Sequence, residues 1–344
     1  MQEKLDPVRL RQVLLLLSDS LFGIKKPSPD WLSSWAARAT ATTDPLDFIE
    51  QFLKQKANID RLRARDNTAT RWPHGHFYSP VVSRADAEAN WPRLSHGRAP
   101  KAVNLRTAEQ LALLHEISRH FGAIPFPETK SPGFRYYYDN PSYNFGDALI
   151  YWSMLNHFKP RRIVEIGSGY SSALALDTID LLKLPTACTF VDPFPAVAEA
   201  ATAPLGPAHR ILPQRVQDID LALIESLQAD DLLFIDSSHV VKTGSDVHFE
   251  LTEMLPSLAP GVLVHFHDVF FPFEYHKNWA VTLNHSWNEL YFLQSFLMYN
   301  TAFRIEFFSS YVARQMKQDV LAASPGPGAR FLVNPGGGLW LRRV

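Results

Sequence analysis

Arg162-Ile-Val-Glu-Ile-Gly-Ser-Gly-Tyr-Ser-Ser172 is the stretch whose reading decides the fold. An apolar run meets two glycines and passes into a helix predicted to begin near Ser171, the junction of a parallel strand with its crossover helix. Gly167 lets the chain turn tightly, and Gly169 lets a ligand approach the backbone with no side chain in the way. The helix beyond offers free N–H groups at its N-terminus. A dinucleotide fingerprint would place a third glycine at Ser172, and its absence weakens a nicotinamide or flavin reading. Glu165 sits just before the glycines, where a carboxylate can hold a ligand's amino group or brace the loop. Asp192 ends the next apolar run, about where a carboxylate reaches a ribose diol. The alternative is that Glu165 salt-bridges a neighbour and Asp192 merely caps the turn at Pro193. It is disfavoured because both acids fall at carboxyl ends of strands, where such sheets bind ligands.

Working outward, strands are predicted at Arg162 to Ile166, Ala187 to Asp192, Ile211 to Val216, Asp231 to Asp236 and Gly261 to His267. Helical segments separate them, the pattern of a doubly wound α/β sheet. A long helix, Ser286 to Asn300, precedes two last strands, Phe303 to Phe308 and Leu339 to Arg343. These are joined by a loop that includes Ser324-Pro-Gly-Pro-Gly328, and can form an antiparallel pair at the sheet edge. Upstream, Pro7 to Phe22, Trp31 to Ala37, Thr43 to Lys56 and Ala108 to Phe121 have helical periodicity. The expected organisation is a helical N-terminal cap over residues 1–140 and a sheet domain over residues 141–344.

The bulk numbers narrow the function. The 344 residues are 46% hydrophobic and 20% charged, as in a folded globular protein. Lysine plus arginine, 34, balances aspartate plus glutamate, 35, so composition asks for neither nucleic acid nor an anionic membrane. The one cysteine, Cys188, cannot form an intrachain disulfide and reads as inert core in a strand. The N-terminus, Met1-Gln-Glu-Lys-Leu-Asp6, has acids where a secretory signal would carry only positive charge, and the apolar run Val13 to Leu17 is too short to span a bilayer. A cytoplasmic location is expected.

From about Phe126 onward the chain resembles class I S-adenosylmethionine-dependent methyltransferases, most closely the branch found in bacterial biosynthetic gene clusters. The residues that carry the resemblance are Phe134-Arg-Tyr-Tyr-Tyr-Asp-Asn-Pro141, the glycine loop, Phe234-Ile-Asp-Ser-Ser-His239, Val264-His-Phe-His-Asp-Val-Phe-Phe-Pro272 and Gly337-Gly-Leu-Trp-Leu-Arg342. The resemblance implies a seven-stranded, mostly parallel sheet of order 3-2-1-4-5-7-6 with the last strand antiparallel. It implies S-adenosylmethionine as cofactor, with Glu165, Gly167 and Gly169 in the cofactor loop and Asp192 on the ribose. Gln217-Asp218 matches the segment that often touches the adenine, and Tyr143 and Asp147 the residues that often close over the cofactor.

Asp236, His267 and Asp268 fall at strand ends beside that position, with His239 three residues past Asp236. Two functional readings compete. In one, Asp236 and Asp268 bind a divalent metal such as magnesium that orients a substrate hydroxyl, as in related metal-dependent enzymes, although His267 favours a softer ion or none. In the other, His239 or His267 is a general base, since an imidazole titrates near neutral pH. Hydrogen bonding to backbone is the bland alternative for each histidine. His265 sits deeper in the same strand and reads as structural. Asp236 needs a polar reason to end Leu-Leu-Phe-Ile.

Acceptor choice is expected to lie with the N-terminal region and the loop after the fifth strand: His74-Gly-His-Phe-Tyr-Ser79, Arg135-Tyr-Tyr-Tyr138 and Phe270-Phe-Pro-Phe-Glu-Tyr275. His76, Tyr78 and Tyr137 are the candidate substrate contacts. The expected activity is methylation of a hydroxyl on a sugar or secondary metabolite. Sulfur or nitrogen methylation of an amino-acid-like molecule is the alternative within the class. A non-catalytic nucleotide-binding protein and a metal-dependent hydroxylase are the rivals outside it. Homo-oligomerisation through the N-terminal helices is a further expectation.

Overall fold

The computed structural model describes Leu14, residues 72–94 and residues 99–344. The three N-terminal helices predicted within residues 7–56 lie outside the described residues, apart from Leu14, which is helical and buried. The chain separates into two compact units, Met1–Ser79 and Pro80–Val344. Residues 80–140 fall in the second unit, with the sheet.

The second unit opens with helices α1 (Arg84–Leu94), α2 (Thr107–Ile117) and α3 (Phe145–Phe158). Helix α3 is buried at every position from Phe145 to Leu155, as expected of a helix that is apolar all round. The Asn144 side chain starts it by accepting hydrogen bonds from the Gly146 and Asp147 N–H groups. Then come β1 (Arg162–Ile166), α4 (Tyr170–Leu182), β2 (Ala187–Val191), α5 (Ala196–Thr202), β3 (His209–Leu212), β4 (Leu232–Ile235) and β5 (Leu263–Phe266). The chain closes with α6 (Glu289–Leu297), β6 (Phe303–Phe308), α7 (Ser309–Gln315), α8 (Lys317–Ala323), α9 (Pro325–Val333) and β7 (Leu339–Arg343).

The seven strands form one sheet of order β3-β2-β1-β4-β5-β7-β6. Strands β1 to β5 pair in parallel, and β7 runs antiparallel to both β5 and β6. This is the expected topology. Every residue of β4 and β5 is buried, the continuous apolar reading of strands covered on both faces. Cys188 is buried and free. No helix among the described residues is long and apolar enough to cross a membrane.

Three sequence expectations miss locally. Strand β3 ends at Leu212, because Pro213 brings no N–H to a ladder, and Val216 to Asp218 form a 3-10 turn instead. Helix α6 is shorter at both ends than Ser286 to Asn300. The link from β6 to β7 is three helices, not a loop, and Ser324-Pro-Gly-Pro-Gly328 opens α9. Pro325 suits a first helical turn, where its missing N–H costs nothing. A Cβ at Gly328 would stand 2.7 Å from the Val320 carbonyl oxygen, so glycine there lets α9 pack on α8.

Candidate active site

The hydrogen-bond ladder runs one residue past each central strand and brings the chemistry-bearing residues level. The Asp236 N–H donates to the Ile166 carbonyl at 2.8 Å, and the His267 N–H to that of Ile235 at 2.9 Å. The Gly167 N–H donates to Val191 at 2.9 Å and the Asp192 N–H to Leu212 at 3.1 Å. The carboxyl ends of β2, β1, β4 and β5 thus form one crevice wall, where open α/β sheets bind ligands.

The two glycines of the loop have different reasons. Gly167 has φ of +75°, and a Cβ there would stand 1.8 Å from the Asp236 carbonyl oxygen, so both backbone and packing demand glycine. A Cβ at Gly169 would meet only Val197, at 3.7 Å. Packing within the protein does not demand glycine at that position, and close approach of a ligand gives it a use. The Asp192 carboxylate accepts from the Ser168 N–H and hydroxyl at 3.0 and 3.1 Å and from the Phe194 N–H at 2.7 Å. Phe194, which the sequence reading passed over, leaves 84% of its surface exposed two residues beyond Asp192. An exposed ring there is a ready stacking surface.

Glu165 is fully buried and braces the loop: one oxygen accepts from the Ser171 and Ser172 hydroxyls at 2.6 and 2.8 Å. Its other oxygen is buried without a partner, so the geometry favours the bracing role over ligand contact. Burial pushes its pKa up to about 8, against the pull of the two serines. A carboxyl raised in the fold from 4.5 to about 8 contributes stability that is present below the lower value and lost as pH rises through the upper one. Glu165→Gln is therefore expected to gain on wild type by on the order of a few kcal/mol between pH 5 and pH 8.5. Urea unfolding at both pH values checks this, and a difference that stays flat with pH would contradict it.

Asp218 is paired with Arg215 at 2.8 Å on the surface. Tyr143 is buried, with its ring 5.1 Å from that of His267. Asp147 is buried too. It accepts from the Gly337 N–H at 2.9 Å and the Asn144 amide at 2.7 Å, and it lies 3.5 Å from His267 Nε2. Tyr143 and Asp147 therefore support the acid–histidine cluster from below. Tyr137, expected on the substrate side, places its hydroxyl 3.2 Å from that of Tyr170, directly after the glycine loop. His76 stacks on Trp72 at 4.6 Å and accepts from the Tyr78 N–H at 3.1 Å, within the first unit.

The cluster itself is dense. His239 Nε2 lies 3.5 Å from Asp236 and 3.7 Å from Asp268. His267 Nδ1 lies 3.4 Å from Asp236 and 3.6 Å from Asp268. One ligand atom from each of Asp236, His267 and Asp268 falls within 4.8 Å of the others, close enough to converge on one cation. His239 and Asp268 hold left-handed backbone conformations, φ of 60° and 58°, which a non-glycine residue adopts only where the surroundings impose it.

Glu289 is the residue that sequence reasoning missed. It is buried at the start of α6 and lies 2.8 Å from His239 Nδ1, leaving Nε2 facing Asp236 and Asp268. No motif marks it, because it reaches His239 from fifty positions away. Burial disfavours charge on both imidazoles, but the surrounding carboxylates outweigh it and hold His239 and His267 well above the ordinary value. Burial likewise raises Asp236, yet the two histidines pull it well below the usual carboxylate range. Asp268, raised mainly by burial, sits at about 6. His265 packs among Phe234, Trp340 and Tyr151 with neither ring nitrogen bonded, and burial pushes its pKa well down. It is a neutral core residue.

Residues 164–269 match the family model of a methyltransferase domain. An uncharacterised protein of Archaeoglobus fulgidus is 31% identical over 165 residues, which cover 46% of this chain and 74% of that protein. A Caulobacter vibrioides protein named ribonuclease HI is 35% identical over 78 residues, 23% of this chain and 50% of that one. Among solved structures, an S-adenosylhomocysteine-bound methyltransferase of Podospora anserina is 16% identical. It covers 80% of this chain and 99% of its own, with a TM-score of 0.38.

Proposed function

The chain belongs to the family of the Archaeoglobus fulgidus protein and carries a methyltransferase domain over residues 164–269, and from that premise we propose that it transfers the methyl group of S-adenosylmethionine to a hydroxyl of a small molecule, a sugar or secondary metabolite. One juxtaposition carries the reading. The loop that admits a ligand at Gly169 and the acid–histidine cluster stand at the ends of neighbouring strands β1, β4 and β5. The residues present fit the cofactor: Asp192 for a ribose diol, Phe194 for a purine face, and the open backbone at Gly169 for the tail. The sulfonium supplies an electrophilic methyl group, which the acceptor oxygen takes as the sulfur–carbon bond breaks.

The protein's part is to align the acceptor, exclude water and remove the hydroxyl proton. His239 Nε2 is the atom assigned to that proton, because Glu289 occupies Nδ1 and fixes the ring. With four carboxylates around them, both imidazoles tend to keep their protons. A bound sulfonium would bring positive charge into the crevice and so favour the neutral form of His239, the form that accepts a proton. Asp236, His267 and Asp268 also fit a divalent cation, which would supply Lewis-acid polarisation of the acceptor oxygen.

The experiment is incubation with S-adenosylmethionine carrying a labelled methyl group and a panel of hydroxyl, amine and thioether acceptors, with magnesium and with chelator. Label on oxygen supports the reading. Label on nitrogen or sulfur moves it to methylation of an amino-acid-like acceptor. Cofactor binding with no transfer to any acceptor favours a non-catalytic binding protein. Equal transfer with chelator removes the metal.

A further inference from the structure

Beside the acid–histidine cluster the second unit forms a half-open cavity of about 680 Å³, within the size range of small-molecule pockets. Its wall is aromatic: Trp91 from α1, Tyr275 and Trp279 from the segment after β5, and Trp287 and Tyr291 at α6. The rings brace one another, Trp279 against Trp287 at 5.3 Å and Tyr275 against Trp287 at 5.9 Å, mostly edge to face. Trp287 also packs on the His239 ring at 4.6 Å, and the Asn288 and Glu289 N–H groups both donate to the His239 carbonyl. An occupant of the cavity is thus one ring away from the base.

This wall also carries charge. Glu274 is half-buried, with one carboxylate oxygen accepting from the Tyr291 hydroxyl at 2.6 Å and the Tyr275 N–H at 3.0 Å. Among the described residues no cation pairs with it. Asp86 adds a second acid. Of the two basic side chains of the lining, Arg93 is bonded to Asn90 of its own helix and His285 stacks on Trp287 at 4.5 Å. Among the described residues no lysine or arginine lies over these five rings, while the His239 imidazole packs on Trp287. Aromatic faces and an unpaired carboxylate both attract positive charge, and an apolar wall attracts flat hydrocarbon.

We propose that this cavity holds the methyl acceptor, and that the acceptor is a flat, largely apolar molecule carrying an aliphatic ammonium group, its ring among Trp279 and Trp287 and its charge beside Glu274. The proposal rests on the methyltransferase reading, and extends it from a hydroxyl acceptor in general to a cationic aromatic one.

Calorimetry with three probes of one shape tests it: tryptamine, 3-methylindole and indole-3-acetate, titrated into the full chain. Wild type is expected to bind tryptamine about tenfold or more tighter than indole-3-acetate, with 3-methylindole between them. Glu274→Gln should shrink the tryptamine preference to about threefold or less while 3-methylindole affinity stays within about twofold, and Trp279→Ala should weaken all three. Equal or tighter binding of indole-3-acetate, no binding of any probe, or a preference that survives Glu274→Gln would overturn the proposal. The wild-type series decides it alone if a variant does not fold. S-adenosylhomocysteine titrated in parallel separates the two levels. Cofactor binding without tryptamine preference sinks the acceptor class only, whereas loss of cofactor binding sinks the methyltransferase reading itself.

Discussion

Replacing His239 with asparagine is expected to lower kcat for methyl transfer by about 10²- to 10⁴-fold, the usual contribution of a positioned general base. Asparagine is the variant of choice because it tolerates the left-handed backbone that residue 239 adopts, φ of 60°, so the loss reports chemistry rather than strain. Affinity for S-adenosylhomocysteine should stay within about twofold, since a proton acceptor adds little to ground-state cofactor binding. Glu289→Gln should give a smaller loss in kcat of about tenfold, because the amide keeps a contact to Nδ1 but withdraws the charge that steadies an imidazolium. The measurement is initial-rate kinetics with the acceptor found by labelled transfer. Undiminished kcat in His239→Asn would move the base elsewhere in the cluster, first to Asp236.

The second large effect separates the two glycines. Gly167→Ala should destabilise the fold by about 4 kcal/mol or more, combining left-handed backbone for a non-glycine residue with a Cβ driven into a packed neighbour. The neighbour is the Asp236 carbonyl oxygen, 1.8 Å from the built Cβ, so the chain cannot relieve the overlap by turning a side chain. Gly169→Ala should cost far less stability, about 1 kcal/mol, since its new methyl meets only Val197. The same variant should nonetheless weaken S-adenosylhomocysteine binding by about tenfold or more, because the methyl stands where a ligand approaches the backbone. Urea unfolding and calorimetry on the pair check both halves. A Gly169→Ala protein that binds as wild type would mean that the ligand does not pass over this loop.

Much of this was legible in the sequence, for definite reasons. The apolar runs of β1, β4 and β5 are read from composition alone because both faces of a parallel strand are buried, and the glycine loop is read from chain stereochemistry. Asp236 and His267 come together because residues one step past neighbouring parallel strands share a level, and Asp268 follows His267 directly. What sequence could not supply was distance across the fold. Glu289 lies on a helix with no motif, and its role appears only where α6 meets the loop after β4. Tyr143 and Asp147 were picked out by resemblance, and their contacts with His267 appear only in the fold. Glycine and proline misled at Ser324 to Gly328, where they serve a helix start and a close helix contact rather than a loop. Glu274 stood in a quoted aromatic stretch, but an unpaired charge becomes visible only when its surroundings are known.

The measurement that tests the account most directly is calorimetric titration of metal-stripped protein with S-adenosylhomocysteine, repeated on Asp192→Ala. Binding at about 1–10 μM is expected for wild type and a loss of about 100-fold for the variant, the worth of two charge-assisted hydrogen bonds to a diol. Wild-type protein that takes up no S-adenosylhomocysteine, with or without magnesium, would contradict the central claim. So would an Asp192→Ala variant that binds it as well as wild type.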